Sequence, residues 1–425
     1  MDPDRERAVL AAVDALAGEL VELLQALVRI PTINPPGEAY EDLVAMLGGR
    51  LDDLGYATEV LRVPEDRLDE LAPLGAGSPR PNLVARLEGD GPGPEVHLNG
   101  HYDVVPVGND WSRDPFGGEV ADGAVHGRGS ADMKSGLAAQ VIAVEALRRA
   151  GVGWHGRVVQ SFVPDEETVG VHNAGTGYLT ELGLFAGADA VIITEPFAPD
   201  GVGLGHKGAI WGRITLRGRQ AHGSSPALGV NAVEAMARYL GALDRDLRPL
   251  LEERRTDLGV TPPEPRSTLS FDTITGGAAT NIVPDRCSVT FNRRLLPGEA
   301  LDDAREELLA PLRALTDATD GLEFDWDETY ATEATLVSED EPLVQAACRA
   351  VRRLGMTPRL LISAGSDDQR FVVHDAGVTN SIIYGPGQTG LSHTSHEHIT
   401  VEDLVLGTKG LALILADLLA PGAGA

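Results

Sequence analysis

The stretch Asn99-Gly100-His101-Tyr102-Asp103-Val104-Val105-Pro106 follows directly on an apolar-rich run, Glu95-Val96-His97-Leu98. The run reads as a buried strand that stops at a glycine and then presents a histidine and an aspartate. His101 and Asp103 are two residues apart, so in extended backbone they point the same way. Further polar groups also stand where apolar runs stop. Asp132 lies in Gly127-Arg128-Gly129-Ser130-Ala131-Asp132-Met133-Lys134-Ser135-Gly136, and Asp165-Glu166-Glu167 closes the run 157–163. Glu195 closes 190–194, and His393 lies in Ser392-His393-Thr394-Ser395-His396-Glu397-His398-Ile399. Two histidines and several carboxylates at strand ends point to one metal centre built by the fold.

Working outward, helical spacing covers 4–29, about 38–54, 132–150 and 172–182. Strands are expected at 57–63, 82–88, 95–99, 157–163 and 189–194, and Asn34-Pro35-Pro36-Gly37 reads as a turn. Residues 64–80 are rich in proline, glycine and polar residues and read as a surface excursion. Strands alternating with helices argue for a mainly parallel sheet covered on both faces, with ligands gathered at the carboxyl ends of its strands. The pattern changes near Lys207. A strand at 209–217, a helix at 229–254, strands at 267–275 and 286–295, a helix at 299–316 and a strand at 322–328 match the split β-α-β unit, an α+β ferredoxin-like order. The α/β pattern then resumes with helix 341–354, strand 359–363, helix 368–375, strand 379–383 and helix 401–419. The expected domains are therefore 1–207 and 331–425, forming one discontinuous α/β domain, and an insert at 208–330.

The chain has 425 residues and a formal net charge of −29. This acidity argues against nucleic-acid and anionic-membrane partners. No apolar run is long enough to span a bilayer, and the acidic start Met1-Asp2-Pro3-Asp4 does not resemble a signal peptide, so a cytoplasmic location is expected. Cys287 and Cys348 are too few and too far apart for a disulfide framework and read as buried thiols. Gly201-Val202-Gly203-Leu204-Gly205 lacks the context of a dinucleotide-binding turn.

Taken together and in order, the segments 100–106, 127–136 and 165–167, with Glu195-Pro196, Ala221-His222-Gly223-Ser224-Ser225-Pro226 and His393-x-x-x-Glu397, resemble a known family. It is the dinuclear zinc amidohydrolase and peptidase family of acetylornithine deacetylase, succinyl-diaminopimelate desuccinylase, aminoacylase and glutamate carboxypeptidase. The resemblance implies a zinc-peptidase-like catalytic domain and an inserted lid and dimerisation domain, hence a homodimer. It implies two Zn2+ per subunit, with Co2+ as a substitute. His101 and Glu195 would bind one ion, Glu167 and His393 the other, and Asp132 both; a helix cap is the competing role for Asp132. Glu166 would be the general base for a metal-activated water, and Asp103 would hold His101 through its ring N–H. His222 would polarise the substrate carbonyl, in relatives across a dimer. Asn281, Arg294 and Arg370 match substrate-side positions, although Asn292 stands where the family usually has Asp, and Arg370 could instead pair with Asp367 or Asp368. His396 and His398 are read as non-ligands, a slip onto His396 being the alternative. The implied substrate is an N-acylated amino acid, with a dipeptide or other short peptide as the rival.

Overall fold

The computed structural model describes residues 1–75, 77–168, 173–387 and 389–420. It divides into two compact units. One comprises Met1–Gly205, Leu336–Ile362 and Asp367–Ala425, and the other His206–Thr335 with Ser363–Ser366.

The first unit is a large α/β sheet. In spatial order its strands include Ala57–Arg62, Pro81–Glu88, Arg157–Val163, Glu95–His101, Ala190–Ile193, Ser381–Ile383, Gly201–His206 and Arg359–Ser363. The four central strands, from Arg157–Val163 to Ser381–Ile383, run parallel. The strands Ala57–Arg62, Pro81–Glu88 and Gly201–His206 join antiparallel on the flanks. The register places His101 opposite Val163 and Asn99 opposite Ile193. The chain segments that follow these residues, carrying Asp103, Asp165–Glu167 and Glu195, therefore leave the sheet at one edge, as expected where parallel strands end.

Helix Lys134–Arg149 is buried along nearly its whole length, its small and aliphatic residues being joined inside by Lys134, Ser135 and Gln140. Its close approach to the sheet depends on glycine. A Cβ at Gly136 would collide with the Thr194 carbonyl, and one at Gly100 would meet the Met133 side chain. A separate three-stranded sheet, Glu119–Ala121, Ala124–His126 and His398–Thr400, carries the segment after His393.

Several element boundaries differ from the sequence reading. The helix expected over 4–29 is two, Pro3–Ala15 and Ala17–Val28, and that over 229–254 breaks into Ala232–Asp246 and Arg248–Glu253 next to Pro249. The helix expected over 368–375 is a single turn, Phe371–Asp375. The excursion 64–80 is not all surface: Leu68, Leu71 and Ala72 pack with Val63, Ala174 and Tyr178, and Arg80 is fully buried.

The second unit is a four-stranded antiparallel sheet in the order Thr268–Gly276, Arg286–Leu295, Gly208–Arg217, Glu323–Thr332. Helices Ala232–Asp246 and Leu301–Asp317 share one core with it, through Met236, Tyr239, Leu308 and Leu312 against Ile214, Val289 and Phe291. Both cysteines are free and buried.

Candidate metal centre

His101 is the last residue of its strand, and Asp132 precedes helix Lys134–Arg149. That helix has no side-chain cap, so the Asp132 carboxylate is not spent on capping it. Instead Asp132 Oδ1 lies 3.3 Å from His101 Nε2, and its Oδ2 lies 3.5 Å from His393 Nε2. Glu195 Oε1 completes the first group at 3.2 Å from His101 Nε2. Glu167 Oε2 completes the second at 2.9 Å from His393 Nε2. Within each group one ligand atom per residue falls within 4.8 Å of the others. Among the described residues these two groups, sharing Asp132, are the ones that could hold a metal ion. Two buried atoms here, His101 Nε2 and Glu167 Oε1, make no hydrogen bond. Orphaned polar atoms in a set of imidazoles and carboxylates fit divalent cations of the zinc type.

Glu166 stands beside the first group, its Oε2 3.9 Å from His101 Nε2. Asp165, immediately before the two glutamates, turns the chain with φ of 65° in the left-handed region. His393 is also left-handed, with φ of 63°. Asp103 does more than the sequence suggested. His101 Nδ1 is 3.0 Å from the Asp103 carbonyl oxygen and 3.4 Å from its carboxylate. The carboxylate itself accepts the backbone N–H groups of Glu166 and Glu167, each at 3.2 Å. Glu397 supports Asp132: it accepts from the Asp132 N–H at 3.1 Å and the Ala131 N–H at 3.2 Å, and pairs with buried Arg128. The spacing His393-x-x-x-Glu397 was legible; its partner Arg128 was not. His396 is exposed and His398 stacks on His126 with ring centroids 5.1 Å apart, so neither joins the two groups.

The remaining positions are placed as follows. Arg370 is buried, with its guanidinium 4.5 Å from the Phe371 ring centroid, while Asp368 is held by Asn173 and Thr176. In the second unit, Gly223 N–H donates to the Asn281 carbonyl at 2.8 Å, which brings the His222 and Asn281 segments together. His222 Nδ1 lies 2.8 Å from the Ser224 hydroxyl and 3.1 Å from the Ser224 N–H, which fixes the ring within its own turn. Arg294 stacks 5.0 Å from the Trp211 ring centroid and donates to Asn292 at 3.0 Å.

The sequence matches the profile of Peptidase family M20/M25/M40 over residues 97–417. The chain belongs to this family. It is 31% identical over 396 residues to a succinyl-diaminopimelate desuccinylase of Methylobacterium radiotolerans, covering 90% of this chain and 93% of that one. It is 36% identical over 305 residues to the desuccinylase of Cereibacter sphaeroides, covering 69% and 76%. Among solved structures, human carnosine dipeptidase 1 aligns with a TM-score of 0.75 at 19% identity, over 99% of this chain and 100% of that one. An M20 family metallo-carboxypeptidase from Sulfolobus solfataricus aligns at 0.71 and 19% identity, over 94% and 98%.

As an M20 protein the chain is a metal-dependent amidohydrolase, and the electrostatics of its site agree. Burial pushes the Glu195 carboxyl up to about 8, with Asp132 and Asp367 adding to the effect. Burial likewise drives Glu166 well above the ordinary carboxylate range. The His393 imidazole is raised to about 9, first by its bond to Glu167. Burial disfavours a charged His101, yet Glu195, Asp103 and Asp132 hold it well above its usual value. Crowded carboxylates that pull up both imidazoles form a site whose excess negative charge a cation would offset.

Proposed function

We propose that this chain hydrolyses the amide bond of an N-acylated amino acid, and that two divalent ions, zinc with cobalt as a substitute, occupy the two groups. The observation that carries the reading is Asp132, one carboxylate facing both metal-group imidazoles at 3.3 and 3.5 Å. Three protein donors per ion leave a position open for water or substrate, the pattern of a catalytic rather than a structural site. Bound there, the ions supply Lewis-acid polarisation of the carbonyl and a lowered pKa for water. Glu166 takes the proton of the attacking water and delivers it to the leaving amine. Its carboxyl, which burial raises well above the ordinary carboxylate range, holds a proton more readily than a free carboxylate does. Asp103 fixes the backbone of Glu166 and the ring of His101. His222 is assigned to the carbonyl oxygen, and Asn281, Arg294 and Arg370 to holding the substrate, Arg294 and Arg370 through its carboxylate. The desuccinylase names of relatives at 31% and 36% identity support a succinyl group as the first acyl class to test. We also propose that the second unit forms a homodimer.

The test is free-amine release from N-succinyl, N-acetyl and N-formyl amino acids and from dipeptides, with Zn2+ or Co2+ added and a chelator as control. Release from one acyl class, lost with chelator and restored by metal, is the expected result. Release from dipeptides alone would move the assignment to a dipeptidase. No release from any substrate, in protein carrying two metals per chain, would overturn it.

A further inference from the structure

Segment 32–34 runs alongside 102–104. Val104 N–H donates to the Thr32 carbonyl, and Asn34 N–H to the Val104 carbonyl, both at 2.9 Å. This lays the buried Asn34 side chain against the turn that carries Glu166. Asn34 Nδ2 lies 2.8 Å from Asp103 Oδ2 and 2.9 Å from Asp165 Oδ1, with Thr168 Oγ1 at 3.2 Å. Only the NH2 end of an amide can face two carboxylates, so its orientation is fixed by chemistry. Asp165 receives two further donors, Arg80 Nε at 2.6 Å and the Tyr40 hydroxyl at 3.1 Å. Arg80 is in turn tied to the backbone, donating to the Pro36 carbonyl at 2.9 Å and the Ser78 carbonyl at 3.0 Å. The chain of bonds ends at Asp103, whose carboxylate holds the N–H groups of Glu166 and Glu167.

The network places two buried carboxylates on either side of one amide, with a single guanidinium to offset them. Stability alone does not call for such an arrangement, because well-packed apolar groups serve at least as well. What the network does achieve is to anchor a left-handed Asp165 and, through Asp103, the backbone of the next two residues. We propose that Asn34, Asp165 and Arg80 are positioning residues that set the turn carrying Glu166, and so govern turnover rather than substrate affinity. The proposal rests on the reading of Glu166 as general base.

The test combines kinetics with a measurement that needs no substrate. Asn34→Ala should lower kcat by about 10²-fold, the scale of a small misplacement of a reacting group. KM should stay within about threefold, as for an interaction that does not hold the ground-state substrate. Bound metal per chain should be unchanged. Hydrogen exchange should show the amides of Glu166 and Glu167 protected in the wild type and faster in Asn34→Ala, with helix 134–149 unaffected. Asp165→Asn, which keeps the shape and removes the charge, should give a smaller effect of the same kind. It replaces Asn34→Ala if that variant does not fold. Unprotected Glu166 and Glu167 amides in the wild type, or a folded variant with unchanged exchange and unchanged kcat, would overturn the proposal. A wild type that hydrolyses no substrate would instead overturn the proposed function, and the exchange measurement would still decide whether Asn34 and Asp165 set the turn.

Discussion

Single residues at this centre separate by what their loss should remove. Glu166, the proposed proton acceptor, stands outside both metal groups, so Glu166→Gln should cut kcat by about 10²–10⁴-fold, the usual worth of a positioned acid–base group. Metal content, read by atomic emission, should match the wild type; a proportional loss of metal would show that Glu166 is a ligand. Asp103 is different, because its carboxylate holds the backbone of both glutamates and lies near the His101 ring. Asp103→Ala should therefore lower metal affinity and turnover together, the former by about 10–100-fold as for other supports of metal ligands. Metal titration against a competing chelator would show whether affinity falls. The sequence singled out His101, Asp132, the Asp165-Glu166-Glu167 run, Glu195 and His393 because each sits where an apolar run stops, while the choice of Glu167 rather than Glu166 as a ligand came from the family resemblance. It did not make Asn34 or Arg80 legible. Asn34 lies in what reads only as a proline turn, and Arg80 in what reads as a surface excursion. Their partner Asp165 is 131 and 85 positions away, and hydrogen bonds over such separations leave no periodic trace.

At the scale of elements, the buried parallel strands were the most legible feature, since strands covered on both faces need continuous apolar runs. Strand Gly201–His206 escaped because three of its residues are glycine. The structure gives a reason for two of them: a Cβ at Gly203 would strike Ile383 and Phe197, and one at Gly201 the Phe197 carbonyl, so the glycines allow the chain to pack closely there. The central strand Glu95–His101 carries a second histidine with a different part to play. His97 is fully buried, its ring stacks 4.6 Å from that of Phe185, and neither ring nitrogen has a hydrogen-bond partner among the described residues. Burial, aided by the charge of Arg86, lowers it to about 3. In the unfolded chain the same group titrates near its ordinary value of about 6.5. Below that pH the unfolded state takes up a proton that the native state refuses. Native stability is thus lost as pH falls from about 6.5 towards 3, at about 1.4 kcal/mol per pH unit for this one proton. His97→Leu should remove that component. Urea midpoints measured from pH 7 to pH 4 should fall less steeply for the variant than for the wild type, and parallel slopes would show that His97 does not stay neutral.

At the scale of the whole molecule, the open question is what covers the edge of the second unit's sheet. Strand Thr268–Gly276 is an edge strand, and Thr273, Ile274, Thr275 and Gly276 are all exposed, with Ile274 62% accessible. An edge that displays an aliphatic side chain and unpaired backbone groups invites another strand. A second copy of this chain would satisfy it through a twofold axis, each strand meeting its own counterpart. Charge works against that pairing, since each chain carries a formal −29 and like charges repel at long range. Salt screens this repulsion over roughly 10 Å at 0.1 M, while backbone pairing and apolar contact are much less sensitive to it. The dimer should therefore tighten as salt is raised, the opposite of an association built on complementary charges. Ile274→Asp adds a carboxylate where two copies would meet, and like charges placed opposite one another across an interface cost several kcal/mol. Sedimentation at micromolar concentration should show a dimer for the wild type and a monomer of unchanged circular dichroism for Ile274→Asp. A wild type that stays monomeric at every salt concentration would overturn the dimer, and a dimeric Ile274→Asp would move the interface away from this edge.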